Sequence, residues 1–183
     1  MVKNFEIEFK TAITKEVYLD LIEKFGLENN IFKQVNYYFD TDDYAFNQKQ
    51  TVLRIRQKGD NRFKVTMKCQ GDEGAFENHI FLQKEKALDM IKNGFQTKEF
   101  FDDIDAFVTY KVQLENYRAS TPFGGGTLFL DRCDYCQVTD YEIEFEASNY
   151  EEGKKTFEHF LAQYQIKLIP TKRKSERAFM CRR

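Results

Sequence analysis

Phe5-Glu6-Ile7-Glu8-Phe9-Lys10 opens the chain with a strict alternation of apolar and charged residues. In an extended strand successive side chains point to opposite faces, so Phe5, Ile7 and Phe9 share one face and Glu6, Glu8 and Lys10 the other. Three later stretches repeat the device. Leu53-Arg54-Ile55-Arg56 sets two arginines on one face. Phe63-Lys64-Val65-Thr66-Met67-Lys68 sets Lys64, Thr66 and Lys68 on one face. Tyr141-Glu142-Ile143-Glu144-Phe145-Glu146 sets three carboxylates on one face. Same-face residues lie about 6.6 Å apart. At an effective dielectric near 20, like charges at that spacing repel by roughly 2.5 kcal/mol. A sheet face that is merely wet has no need to sort its charges by sign. Two acidic and two basic rows, each backed by an apolar face, predict a closed or nearly closed barrel. Its outside is apolar and covered by helices, and its inside is charged.

The totals agree with one such domain spanning 1–183. The chain has 183 residues, 42% apolar and 32% charged, with 19 Phe, 10 Tyr and only 2 Pro. Net charge is −2 and the isoelectric point is near 5.8, which disfavours a general nucleic-acid binder. No run is long and apolar enough to span a bilayer, and the N-terminus enters a strand pattern directly, so a cytoplasmic protein is expected. Of four cysteines, Cys133 and Cys136 form an isolated CxxC with no second pair and no spaced histidines. Zinc and thioredoxin-like readings are therefore set aside, and free thiols in a reducing compartment are expected. His79 and His159 are the only histidines, which argues against a Ser-His triad.

Between the charged rows the chain punctuates itself. Thr14 precedes a helical stripe of Val17, Leu21, Ile22 and Phe25, with Gly26 as the stop. Residues 31–39 predict a strand, and Asp40-Thr41-Asp42-Asp43 a turn, lacking the glycine and distal glutamate of a calcium loop. Gly59-Asp60-Asn61 and Gly71 to Gly74 are turn signals, with a strand at 76–81 after the second. Residues 83–107 predict short helices broken near Gly94. Strands are expected at 108–120 and 127–132, separated by a loop over 121–126 and followed by a turn over 133–140. Residues 151–164 form an amphipathic helix, and the basic tail from Lys172 is helical through Met180.

A lumen carrying both signs suits one kind of ligand. Clustered Arg and Lys bind phosphate oxygens, and clustered carboxylates bind hard divalent cations. Both together suit a polyphosphate that arrives with its metal.

At this point the chain resembles the CYTH proteins, or triphosphate tunnel metalloenzymes. Their N-terminal ExExK is matched by Glu6-Ile7-Glu8-Phe9-Lys10. In order there follow Arg54-Ile55-Arg56, the Lys64 to Lys68 strand, Glu77, Arg118, Leu128-Phe129-Leu130-Asp131, Asp140-Tyr141-Glu142-Ile143-Glu144 and Lys174-Ser175-Glu176-Arg177. The resemblance implies an α+β fold, mainly antiparallel β: an eight-stranded, closed, tunnel-like β-barrel with helices packed outside. It implies a Mg2+- or Mn2+-dependent triphosphatase acting on inorganic triphosphate, thiamine triphosphate or a nucleoside triphosphate. Glu6, Glu8, Glu142 and Glu144 would hold metal, with Asp131 and Glu146 as further ligands. Lys10, Arg54, Arg56, Lys64, Lys68 and Arg118 would hold phosphates, and Lys174 and Arg177 would reach the tunnel mouth from the C-terminal helix. Glu6, Glu8, Lys10, Arg54 and Arg56 form the catalytic set. The expected partner is a small-molecule triphosphate, with no nucleic acid and no membrane, and the chain is expected to be a monomer or homodimer. The same motifs allow a class IV-type adenylyl cyclase or a non-catalytic triphosphate- or polyphosphate-binding module. All of these readings require the acidic pairs Glu6/Glu8 and Glu142/Glu144 to face one lumen.

Overall fold

A computed structural model describes residues 2–71, 73–102 and 104–181. Met1, Asp72 of the expected Gly71–Gly74 turn and Asp103 of the expected helical stretch lie outside the described residues. The strands are β1 (Val2–Ile13), β2 (Phe32–Asp40), β3 (Thr51–Lys58), β4 (Arg62–Gln70), β5 (Ala75–Leu82), β6 (Phe95–Gln96), β7 (Phe107–Phe123), β8 (Gly126–Tyr135) and β9 (Val138–Ala147). The helices are α1 (Lys15–Lys24), α2 (Ala45–Gln48), α3 (Lys84–Asn93), α4 (Tyr150–Gln163) and α5 (Lys174–Cys181).

Eight strands pair antiparallel in the order β2-β3-β4-β5-β1-β9-β8-β7, and β2 pairs with β7 to close the ring. The 17-residue β7 makes this closure possible. Its middle pairs with β2, its C-terminal half with β8, and its start carries the two-residue β6. The product is a closed eight-stranded antiparallel β-barrel.

The alternation of each strand sorts residues to the two sides of this wall. Outside, Leu128, Leu130, Ile143 and Phe145 pack under α1 and α4, against Leu21, Ile22, Phe157 and Phe160. On the opposite flank Leu53, Ile55, Val65 and Met67 pack under Phe46, Ala87 and Met90. Thr14 caps α1, its Oγ1 accepting from the Val17 amide at 3.3 Å. α4 lies so close to the wall that a Cβ added at Gly153 would sit 2.5 Å from Ala147 Cβ and 2.8 Å from the Phe9 ring, so only glycine fits there.

The C-terminal segment crosses back over β1. Ile169 N donates to Thr11 Oγ1 at 2.8 Å, and Ala12 N donates to the Ile169 carbonyl at 3.0 Å. That crossing delivers α5 to one end of the barrel. There Ala178 and Phe179 meet Tyr38, Val112, Leu114, Cys133 and Tyr135, an apolar plug inside the wall.

Several boundaries differ from expectation. Thr121 to Phe123 belong to β7, and the loop is only Gly124-Gly125. Cys133 to Tyr135 extend β8, and Val138 to Asp140 begin β9, so the turn shrinks to Cys136-Gln137. The inward faces of these strand ends are apolar or paired, which holds them in the ladder where a polar composition suggested a turn. Residues 83–107 hold one helix, then β6 and a short 3-10 turn at Thr97–Glu99. Asp40 ends β2 rather than starting a turn. Its buried carboxylate accepts from the amides of Thr41, Phe46 and Asn47 at 2.8–3.0 Å and anchors α2.

The expectation of free thiols fails for two cysteines. Cys136, in the β8–β9 turn, is disulfide-bonded to Cys181 at the end of α5, while Cys69 and Cys133 are free. Sequence spacing could not pair two residues that meet only through the plug. Among the described residues no helix is long and apolar enough to cross a membrane.

Closing a loop across 45 residues of sequence stabilises by roughly 2–4 kcal/mol. Reduction, or Cys181→Ser, is therefore expected to lower Tm by about 4–16 °C for a chain of this size. Titration of the denatured protein checks the pairing: two thiols react without reductant and four with it.

Candidate active site

The charged rows all line the barrel interior, and the register sets who faces whom. Across the β1–β9 ladder Glu8 stands opposite Glu146 and Lys10 opposite Glu144. Across β8–β9 Asp131 stands opposite Glu142, and across β7–β8 Arg118 opposite Asp131. Across β3–β4 Arg56 stands opposite Lys64, and across β4–β5 Lys68 opposite Glu77. Directly opposed residues of an antiparallel pair share a face. The two acidic pairs, more than 130 positions apart in sequence, thus lie on neighbouring strands around one lumen.

The densest part is a buried triple. Asp131, Glu142 and Glu144 each offer a carboxylate oxygen within 4.8 Å of the others. Arg118 grips Asp131 with two parallel bonds of 2.8 and 2.6 Å and also bonds Glu144, while its guanidinium stacks 4.2 Å above the Phe129 ring. Lys174 of α5 reaches into the centre of the triple. Its ammonium lies 2.8 Å from Asp131 and 2.6 Å from Glu144, and it bonds Glu142 as well. Arg177 adds a 2.6 Å bond to Glu142 and a 3.2 Å ion pair to Asp140. The triple therefore already holds one cation, supplied by the chain itself.

Around it the other expected residues fall into two groups. Toward the acidic side, Lys68 pairs with Glu6 at 2.8 Å and with Glu8 at 3.7 Å, and Lys10 with Glu8 at 3.6 Å. Glu146 completes this wall. Toward the basic side, Arg54 and Lys64 share Glu77 at 3.4 and 3.5 Å, and Arg56 Nε donates to Asn36 Oδ1 at 2.8 Å.

This crowding sets the proton affinities. Burial works against the charge of Asp131, but Arg118 and Lys174 prevail and pull its pKa down. Burial opposes the charge of Glu8 too, yet Lys68 and Lys10 take it down to about 2. Glu144 goes the other way: burial and the neighbouring charge of Glu8 push it up to about 7. Burial, reinforced by Arg54 and Arg118, pulls Arg56 down to about 9. The acidic side thus keeps one carboxylate poised near neutrality, and the basic side is short of negative charge.

The donor set fits a hard divalent cation, because three buried carboxylates offer only oxygen ligands. Glu6, Glu8 and Glu146 lie in the adjoining wall. Three contributors had no assigned role in the sequence. Glu77 orients Arg54 and Lys64, Asn36 orients Arg56, and Asp140 holds Arg177 while accepting from the Tyr135 hydroxyl at 2.5 Å. Glu77 and Asp140 stand in the motif series without a role, and Asn36 is signalled only by parity, on the inward position of β2.

Comparison with known proteins agrees with this architecture. The family model described as the CYTH domain matches residues 4–179. A Bacillus subtilis (strain 168) protein named "Putative triphosphatase YjbK" is 35% identical over 184 residues, covering 95% of this chain and 94% of that protein. A solved Bacillus halodurans structure, described as "a putative adenylate cyclase", superposes with a TM-score of 0.88 at 31% identity, covering 98% of this chain and 100% of that one. A Hippeastrum protein, described as a "putative adenylyl cyclase" with a dominant triphosphatase activity, shares the fold with a TM-score of 0.76 at 20% identity, covering 96% and 95%. By its matched residues and by its barrel, the chain belongs to the CYTH family.

Proposed function

We propose that the chain is a divalent-metal-dependent triphosphatase, cleaving the terminal phosphoryl bond of a triphosphate inside the barrel. The observation that carries this reading is the juxtaposition of a buried carboxylate triple with an adjoining row of cations in one closed lumen. The name of the Bacillus subtilis relative supports it.

In this reading Asp131, Glu142 and Glu144 hold Mg2+ or Mn2+, with Glu6, Glu8 and Glu146 as the adjoining acidic wall. The metal would neutralise charge developing on the phosphate oxygens. Arg54, Arg56, Lys64 and Arg118 bind and align the phosphates. Their geometry is set in advance by Glu77, Asn36 and Asp131, so little reorganisation accompanies the reaction. Lys10 and Lys68 extend the cationic lining toward Glu6 and Glu8. Lys174 and Arg177 have two duties. They neutralise the triple, and they would serve as donors to a terminal phosphate were a metal held by these carboxylates.

Phosphate release from tripolyphosphate, ATP and thiamine triphosphate, each with Mg2+ or Mn2+, tests the reading. Glu142→Gln and Arg54→Ala are expected to lower kcat/KM by about 10²–10³-fold. Release no greater than in the Glu142→Gln control would overturn it, and cyclic AMP as the product from ATP would replace it with cyclase activity.

Loading a cation requires Glu144 ionised. Mn2+ affinity is therefore expected to fall about tenfold per pH unit below a value near 7 and to level off above it. Calorimetric titration from pH 5.5 to 8.5 reads the slope, and Glu144→Gln should flatten it.

A further inference from the structure

α5 is held to the barrel at three levels. At its start Lys174 and Arg177 enter the carboxylate triple. In its middle Ala178 and Phe179 sit in the apolar plug. At its end Cys181 is bonded to Cys136. The first two attachments are noncovalent, and residues 166–173, which lead into the helix, form no regular element. Among the described residues the disulfide is the one covalent cross-link.

Cys136 lies in the turn of the β8–β9 hairpin, and that same hairpin carries Asp131 on β8 and Glu142 and Glu144 on β9. Lys174, Ala178 and Cys181 fall at i, i+4 and i+7, one stripe of α5. Lys174 and Cys181 are thus two turns, roughly 10 Å, apart along that stripe. The disulfide therefore clamps the helix that supplies the internal cation onto the hairpin that supplies the three acids.

The bond can be attacked from outside. Cys136 is exposed and lines a surface cavity of about 450 Å³ with Gln113, Glu115, Asp134, Val138 and Thr139. Exposed disulfides are the labile ones. The Cys136 backbone has φ 51°, a conformation for which glycine is the ordinary occupant of a two-residue hairpin turn. The turn itself thus has no need of a cysteine. Cys133, the other half of the CxxC, is fully buried, its thiol toward Asn116 Oδ1 at 3.9 Å. A small thiol reaches Cys136 and not Cys133.

We propose that the Cys136–Cys181 bond is a thiol-sensitive latch on the site: closed, it keeps Lys174 among Asp131, Glu142 and Glu144, and open, it lets α5 draw back and frees those oxygens for a divalent cation. One thiolate of a small-molecule reductant attacks the Cys136 sulfur, the S–S bond breaks and Cys181 leaves. A second thiol of the reductant then displaces Cys136 from the mixed disulfide. Two electrons pass to the protein, the two thiol protons end on Cys136 and Cys181, and the reductant departs as its own disulfide. Lys174 and a divalent cation draw on the same carboxylate oxygens, so whatever fixes Lys174 in place weakens cation binding. The inference rests on the divalent-cation part of the triphosphatase reading and adds a regulation to it.

The full chain is compared oxidised, reduced by a dithiol that is then removed anaerobically, and as Cys181→Ser. Amide hydrogen exchange reads the helix, and calorimetric titration with Mn2+ reads the triple. The α5 amides are expected to exchange roughly 10-fold faster or more in the reduced chain and in Cys181→Ser, while those of β9 hold. Mn2+ affinity is expected to rise roughly 5- to 30-fold in both and to return on reoxidation with a small-molecule disulfide. In Lys174→Gln the affinity should not respond to reduction. Equal α5 exchange in the oxidised and reduced chain, Mn2+ binding that is unchanged or weaker on reduction, or a response that persists in Lys174→Gln overturns the latch. Failure of Mn2+ to bind in any form overturns the latch and the metal reading together. Mn2+ binding that ignores reduction, with phosphate still released from tripolyphosphate, removes the latch alone. Reduction-dependent Mn2+ binding without phosphate release upholds the latch and counts against the triphosphatase reading.

Discussion

Burying charge is tolerable only where it is paired, and this barrel buries a great deal of it. Asp131, Glu142 and Glu144 are together almost wholly removed from water. Each ion removed from water costs several kcal/mol, which mutual attraction offsets only when the geometry is good and the remaining lone pairs are satisfied. Arg118 and Lys174 meet that condition with a forked contact and a three-way ammonium contact. The outer helices, the plug and the long β7 seam can be understood as what holds those two cations against those three acids.

The arrangement also explains why the two ends of the lumen differ. At the end that α5 partly plugs, the inward positions change from charged to apolar: Tyr38 on β2, Val112 and Leu114 on β7, Cys133 and Tyr135 on β8. Phe179 fills the space they leave, and α5 comes with it, carrying Lys174 one turn deeper to the carboxylates. At the other end Arg56, Lys58, Arg62 and Lys64 carry positive charge out to the rim, beside Phe81. A single helix therefore serves as a plug and as a source of countercharge.

Much of this was legible in the sequence. Period-2 alternation identified the inner and outer faces of four strands, and the sorting of sign along them implied an enclosed interior. The alternation sets Glu6, Glu8, Glu142 and Glu144 around one lumen, and the strand register puts them there. What escaped detection depended on contacts distant in sequence. Cys136 and Cys181 looked like free thiols because nothing local brings a hairpin turn to the last helix. Residues 133–140 looked like a turn because Asp134 and Asp140 are polar, although Cys133, Tyr135 and Asp140 all have partners inside. Asp40 looked like part of a turn because its role as an anchor for α2 depends on amides six and seven residues ahead. Lys174 was expected at a mouth and is found at the centre of the acidic triple, a distinction that only the packing of α5 decides.

The strand order has a consequence for how the molecule is made. β1 lies between β5 and β9, so it gains its second neighbour only after residue 138 has emerged. The seam between β2 and β7 likewise joins residues 32–40 to residues 109–118. Such long-separation pairings place the barrel among topologies that form late and slowly. During that interval Phe5, Ile7 and Phe9 stand on an unpaired edge, the kind of surface that recruits other chains. Glu6, Glu8 and Lys10 alternate with them, and an edge that carries charge at every second position is poorly suited to pairing with a copy of itself. The residues that line the finished lumen can thus guard the nascent strand before the lumen exists.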